Sequence, residues 1–470
     1  MDAAFRREEV ALAKRSRGTR ISALAPTRAD NHQVRLHGEI MDTVKPSRAK
    51  AELIAVYVGY VLRYVYPLML LPFYGRTLGP AGYGIVLAGM SLSNTIWRFV
   101  NFGFPTVGGR DTVHSRDSAE RAAILSSQMT GRVLLSIPTA ILGFGAVALS
   151  PALSAHPMLG FTTVLLGLLA AFNLGWYFTS TGRATRCIVI EIVGFATSLG
   201  LIFLFVHRPS DLSRVFPLLL ISSITQSALA YGSIRREFAG WFSSIRAGID
   251  LIHRSKVLFI YTGTSVLLIT ASTYILSVLA PASEVSAFGV AERLIALGLS
   301  LMGPAAQVLV PKVTYLVGVD PAKANRLAHR ISAFFICGSI AAVACTMLLA
   351  DWLVPLVFGK GFQHAIDVLK VFVLVLPLSL MNQVLGLYFL IPRHRDGLLA
   401  RAGVASAVVN ILVAIPLASH WGAMGMVGAR LLGELTLLTV LVVYMIRAGL
   451  ISEIFATRDT VLPLRPREEA

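Results

Sequence analysis

Charge is scarce in this sequence. Only 14% of its 470 residues are Asp, Glu, Lys or Arg, against about 25% in a soluble domain. So little charge cannot clothe a water-facing globule of this size, which excludes a soluble enzyme. Cysteine is scarcer still: Cys187, Cys337 and Cys345 are the full set. Each falls in or beside an apolar run, and none has the spacing of a ligand set, so neither a disulfide framework nor a metal site is expected. Acidic residues are outnumbered 25 to 42, for a net charge of +17. In a soluble chain that excess would suggest nucleic acid. In a greasy one the loops facing the cytoplasm collect Lys and Arg, and no nucleic-acid partner is expected. No cleavable signal peptide is expected either, since residues 1–50 are polar and the first apolar run is too long for an h-region.

What is present is apolar residues, 55% of the chain, in blocks of about 20, the length that crosses a bilayer as a helix. The fold class is therefore an all-α polytopic membrane protein. Twelve spans are predicted, at 51–73, 81–104, 122–149, 158–180, 185–206, 214–234, 257–280, 287–309, 331–351, 366–391, 400–418 and 424–446. One set of connecting loops carries seventeen Lys or Arg, among them Arg110, Arg183, Arg236, Lys312 and Arg393. The alternate set carries only Arg76, Arg208, Arg214 and Lys360. That bias predicts both termini in the cytoplasm. The arginine-poor loop "LPFYGRTLGPAGYG", Leu71–Gly84, then joins spans 1 and 2 on the outer side, with Pro80 suited to the first turn of the second helix.

A similar phrase returns later. Leu78-Gly79-Pro80-Ala81 aligns with Leu279-Ala280-Pro281-Ala282, and Tyr83-Gly84 with Phe288-Gly289. A second echo pairs "LGWYF" at 174–178 with "LGLYF" at 385–389. Both pairs occupy equivalent spans of two six-helix lobes, 51–234 and 257–446. Six is even, so both copies enter the membrane from the same side, related by a pseudo-twofold axis along the membrane normal. Between them, residues 235–256 place Phe238, Trp241, Phe242, Ile245, Ile249 and Ile252 on one face, an amphipathic helix resting on the inner leaflet. Residues 1–50 lack apolar periodicity and read as a basic, disordered tail. The stretch from Met41 also looks like an ordinary start, and a tail lying on anionic lipid is the other reading. Residues 447–470 form a cytoplasmic C-terminal tail.

"LPFYGRTLGPAGYG" followed by "NFGFPTVGGRD", then "SEVSAFGVAERL", "LVPKVTYL", "LVFGKGFQHAIDVLKVFVLVLP" and "NILVAIPLASHWGAMGMVGARLLGEL", resembles the bacterial polysaccharide flippases, the O-antigen and exopolysaccharide transporters. These belong with multidrug-extrusion transporters and the peptidoglycan-precursor flippase in one superfamily. The resemblance implies alternating access in the bacterial inner membrane. It also implies a polyprenyl-diphosphate-linked oligosaccharide as substrate, moved from the inner to the outer leaflet. Membrane lipids, the polysaccharide polymerase and the export machinery are the implied partners of a monomer. No cofactor and no catalytic residue are expected.

The chemistry must then lie in charges that interrupt the spans, because an unpaired Arg at a helix centre is costly unless it meets a cavity or a partner. Arg63, Arg98, Arg132 and Arg293 are the cavity candidates. Their guanidinium groups could replace the hydration of a diphosphate with charge-assisted hydrogen bonds. Glu191, Glu292, Arg430 and Glu434 are candidates for ion coupling or a structural pair, Arg430 and Glu434 being i,i+4 on one face. A cation-coupled multidrug antiporter would need acids deep in the N-terminal half, where only Glu191 is found. A membrane glycosyltransferase would need carboxylates on an outer loop, and a polymerase would need one large outer loop. The sequence offers neither.

Overall fold

The computed structural model describes residues 46–237, 240–259 and 264–450. Within them, no side chain is described for 46–58, 60, 61, 63, 64, 68, 257 and 264–270. The two tail readings and the placement of Phe238 lie outside the described residues, except that 46–50 are helical and 447–450 end the last helix and its turn. The chain divides at Val58: the described part of the first unit is helix, and the second, Gly59 onward, is one compact body.

Every regular element among the described residues is helical. The order is α1 (Pro46–Asn101), α2 (Phe104–Val113), α3 (Ser118–Leu149), α4 (Pro151–Ser154), α5 (Pro157–Ala170), α6 (Gly175–Ser180), α7 (Ala184–Phe205), α8 (Val215–Ile234), α9 (Ile245–Leu258), α10 (Thr264–Leu279), α11 (Ala282–Ser300), α12 (Met302–Val319), α13 (Pro321–Phe358), α14 (Gln363–Phe372), α15 (Val375–Val384) and α16 (Asp396–Arg447). Among the described residues eight helices are long and apolar enough to cross a membrane. The protein is a multi-pass helical membrane protein.

Two expected pairs of spans each fall in one long element. At 52 residues α16 would extend about 78 Å if straight, well beyond the ~30 Å hydrocarbon core. It turns back at Gly422, whose φ of 54° suits glycine alone. Asn410 Nδ2 donates to the Ala429 carbonyl at 2.9 Å, and Ser406 Oγ to that of Gly433 at 2.6 Å. These pairs straddle the turn as in an antiparallel hairpin. In α1, Gly79 at φ 71° does the same, and residues 66–71 line a cavity together with 90–94. The expected eighth span is different: helix α11 ends near Leu301 and α12 begins afresh at Met302.

The repeated phrase acquires a structural meaning. Pro80 follows the bend into the second arm of α1, and Pro281 caps α11. Those two helices cross with almost no space between them. A methyl group on Gly84 would sit 1.8 Å from the Ala282 carbonyl oxygen, and one on Gly289 would sit 2.2 Å from Leu87 Cδ1. The two glycines that align in sequence therefore each admit the other's helix. Nearby, Arg76 donates to the carbonyls of Leu356 and Val357 at the end of α13, and Ser150 hydrogen-bonds Ser277 at 2.9 Å. The arginine-poor end of the molecule is thus closed by direct contact between its N- and C-terminal halves.

The amphipathic element is shorter than expected. The chain leaves α8 through a tight turn at Arg235–Glu237, and α9 begins only at Ile245. The reason is local: Ser243 N–H is held by Thr130 Oγ1 at 2.9 Å, and Ser244 Oγ caps Ala247 N–H at 3.3 Å. One face of α9 docks on α3, where Gly248 approaches Gly131. Ile245 and Ile249, with Trp241 and Phe242 just before the helix, stay exposed on the other.

Candidate functional site

Polar side chains from α1, α10, α11 and α16 converge on a cavity of about 310 Å³. Its walls carry Arg98 from α1, Glu292 and Arg293 from α11, and Arg430 from α16, with Asn94, Ser272 and Thr273 among them. The charges are not equally satisfied. Thr273 Oγ1 donates to Glu292 at 2.8 Å. Arg430 pairs with Glu434 at 3.1 Å, the i,i+4 geometry expected, and Asn382 Nδ2 supports Glu434 at 2.8 Å. Arg98 and Arg293 have neither an ion pair nor a hydrogen bond among the described residues, and the Nε of each is buried. Arg98 lies 5.1 Å from the ring of its neighbour Trp97. Guanidinium groups of this kind can form charge-assisted, bidentate hydrogen bonds to an anion.

A second cavity of about 410 Å³ adjoins the first and shares Asn94 and Arg293 with it. Its other walls are neutral. Tyr66 stacks on Phe195 with centroids 4.4 Å apart, and its hydroxyl bonds Ser198 at 2.7 Å. Ser222, Ser223 and Gln226 supply neutral polar groups. Arg293 thus stands where a charged compartment meets an uncharged one.

The other candidates are placed elsewhere. Arg132 lines neither cavity. It is fully buried, donating Nε to the Ala171 carbonyl at 2.7 Å and Nη1 to Gln128 Oε1 at 2.7 Å. Its guanidinium lies 5.7 Å from the Phe104 ring and 5.8 Å from Trp176. It ties α3 to the end of α5 and is corrected from cavity candidate to packing element. Glu191 lines a smaller cavity of about 90 Å³ with Asn173, Ser227 and Gln226, adjoining the second cavity through Ser223 and Gln226, and Cys187 Sγ donates to it at 3.6 Å. Arg63 belongs to α1, and its side chain lies outside the description. Among the described residues no three potential metal ligands cluster.

Sequence reasoning passed over Asn94, Ser272, Thr273 and Gln226 because they are uncharged. A signal existed for Asn94. It stands four residues before Arg98, on the same helical face, and an amide inside an apolar run needs a polar neighbour.

Known proteins share this architecture. In sequence, the chain is 22% identical over 405 residues to a protein described as an O-antigen transporter of Shigella dysenteriae, covering 85% of this chain and 99% of that one. It is also 22% identical over 372 residues to a protein so described from Escherichia coli (strain K12), covering 77% and 88%. In fold, it resembles the inward-facing conformation of a multidrug resistance MATE family transporter of the MOP superfamily. The TM-score is 0.65 at 14% identity, covering 86% of this chain and all of that one. It also resembles the lipid II flippase MurJ in an inward closed conformation, with a TM-score of 0.61 at 13% identity, covering 87% and 93%. The family described as "Polysaccharide biosynthesis protein" matches residues 50–316, more than half of the chain, and the chain belongs to that family.

Proposed function

We propose that this protein is a flippase that carries a polyprenyl-diphosphate-linked oligosaccharide repeat unit from the inner to the outer leaflet of the bacterial inner membrane, for surface or exopolysaccharide synthesis. The observation that carries the reading is the pair Arg98 and Arg293: cationic, facing a cavity, and without an acceptor among the described residues. A diphosphate cannot cross hydrocarbon with its hydration shell, and a planar guanidinium fork replaces that shell with charge-assisted bonds. The polyprenyl chain stays in lipid throughout. Arg63, the fifth residue of unit 2 and on the same helix as Arg98, joins the proposed cationic set, and Arg430 borders it.

Alternating access follows if twelve crossings form two lobes, 51–234 and 257–446, that rock about the shared site. The mutual approach of Gly84 and Gly289 at equivalent repeat positions supports a twofold relation between the lobes. The direct contacts at the arginine-poor end support a state open toward the arginine-rich side, which the loop bias makes cytoplasmic, along with both termini. The 235–256 linker joins the lobes. The protein works as a monomer, alongside the polymerase and export machinery. No catalytic step is assigned.

A second reading has one observation in its favour. Glu191 lines a small cavity that shares Ser223 and Gln226 with the neutral compartment, which suits a cation-coupled antiporter. Deleting the gene and analysing lipid-linked intermediates separates the readings. Accumulation of a completed repeat unit on the inner leaflet, relieved by wild type but not by Arg293→Ala, is the expected result. Normal surface glycan with a loss of drug or cation extrusion would sink the flippase reading.

A further inference from the structure

A further recess lies away from these three cavities, on the arginine-rich side. There α3 begins, the loop between α6 and α7 passes Arg183, and α8 ends in the turn Arg235–Glu237. The recess measures about 420 Å³ and carries Arg121, Arg183 and Arg236 with a single acid, Glu237. That acid is already committed. Its carboxylate accepts from Arg183 Nη1 at 2.5 Å and Nη2 at 2.8 Å, and from the Tyr177 hydroxyl at 2.5 Å. Arg121 and Arg236 have no ion pair or side-chain hydrogen bond among the described residues. Three arginines against one carboxylate leave the recess with a net positive charge that attracts an anion.

The residues beside it point to the kind of anion. Trp241 and Phe242 follow the same turn and are 47% and 64% exposed. Large aromatic side chains partly exposed beside arginines are typical of the headgroup layer. A soluble anion would be recognised equally well in open water, whereas a basic recess between helices at that depth suits a phosphate attached to a lipid.

We infer that Arg121 and Arg236, flanking the locked Arg183–Glu237 pair, form a binding site for the phosphate of an anionic membrane lipid, separate from the transport cavity. Two lipids carry that chemistry: an ordinary anionic phospholipid, which would clamp α3 and α8 together, and a polyprenyl diphosphate gathered before it reaches the cavity. The site does not depend on the flippase reading.

The test uses the full chain, purified and exchanged into nanodiscs of phosphatidylcholine alone or with phosphatidylglycerol, with retained lipid counted by native mass spectrometry. Wild type should retain phosphatidylglycerol over phosphatidylcholine by about ten- to thirtyfold, as two arginines near a lipid phosphate imply. Arg121→Gln/Arg236→Gln should lose that preference, and Arg121→Lys/Arg236→Lys should keep most of it. Should the Gln pair fail to fold, Arg236→Gln alone is read instead, since that side chain is exposed. Displacement of phosphatidylglycerol by polyprenyl diphosphate assigns the site to substrate capture, and failure to displace assigns it to a structural phospholipid. Unchanged retention in the Gln variants overturns the site. Inorganic pyrophosphate competing as well as either lipid overturns its lipid character.

Discussion

Arg132 and Arg293 both lie within the helical array, and their surroundings treat them oppositely. Around Arg132 the protein supplies acceptors for two of the three guanidinium nitrogens, the Ala171 carbonyl for Nε and the Gln128 amide for Nη1, leaves Nη2 without one, and closes two aromatic rings over the charge. Around Arg293 it supplies space: two cavities meet there, and no acceptor reaches the guanidinium among the described residues. The first charge is consumed in holding α3 against α5. The second has no protein acceptor among the described residues, the feature on which the proposed anion site rests. Burial alone does not separate a structural charge from a binding one; what separates them is whether the acceptor belongs to the protein.

The comparison breaks most sharply in the two alanine variants. Arg293→Ala should lower affinity for polyprenyl diphosphate about a hundredfold, the loss of two charge-assisted bonds. The protein should still insert at normal abundance. Equal export by this variant in a complementation assay would remove Arg293 from the site. Arg132→Ala should do the reverse. It strands the Gln128 side chain and the Ala171 carbonyl and opens a void under Phe104 and Trp176, costing about 2–3 kcal/mol. Its signature is a lower melting temperature in detergent with per-molecule transport retained.

Smaller effects sharpen the distinction. Arg98→Lys keeps the charge but loses the planar fork, so binding should weaken about three- to tenfold if the diphosphate is gripped by two bonds. An unchanged affinity in titration would mean that Arg98 acts as a point charge. Glu434→Gln probes the intermediate case, because Arg430 borders the cavity yet has a protein partner. Freeing it adds a third donor, so anion binding should tighten a few-fold while product release slows. Single-turnover and steady-state transport, measured together, would reveal the split. The smallest effect is remote from the cavity. At α13, Asp320 caps the Lys323 N–H at 2.9 Å, and that bond holds its carboxyl below the ordinary carboxylate range. Its stabilisation is therefore complete above the unfolded-state value near 4 and fades as pH falls through the lower folded value. Asp320→Ala should flatten the acid limb of the melting curve slightly and leave transport untouched.

Much of the candidate site could be read from the chain. Arg98, Glu292, Arg293 and Arg430 were legible because each interrupts an apolar run, where an ionised group is costly without cause. The Arg430–Glu434 pair was legible because it lies within one helical turn. Arg132 was misread for the same reason that the others were found. Its interruption of an apolar run is identical in sequence; Gln128, four residues before it, was a local signal passed over, while its acceptor at Ala171 is 39 residues away, beyond any local pattern. Asn94 and Gln226 were missed because neutral amides carry no comparable insertion penalty.

The sequence by itself determined the class of molecule and its punctuation. Scarce charge and apolar blocks leave the bilayer as the only solvent, and within it the backbone must bond to itself as helices. Glycines at 79 and 422 mark where those helices turn back, because positive φ is open to glycine without penalty. Even the repeat of Gly84 in Gly289 was visible, though not that the two would meet. Tertiary structure alone decided which charges are spent and which are free. Whether a guanidinium finds a carbonyl or a cavity depends on contacts between helices far apart in sequence, and packing sets those contacts one interface at a time.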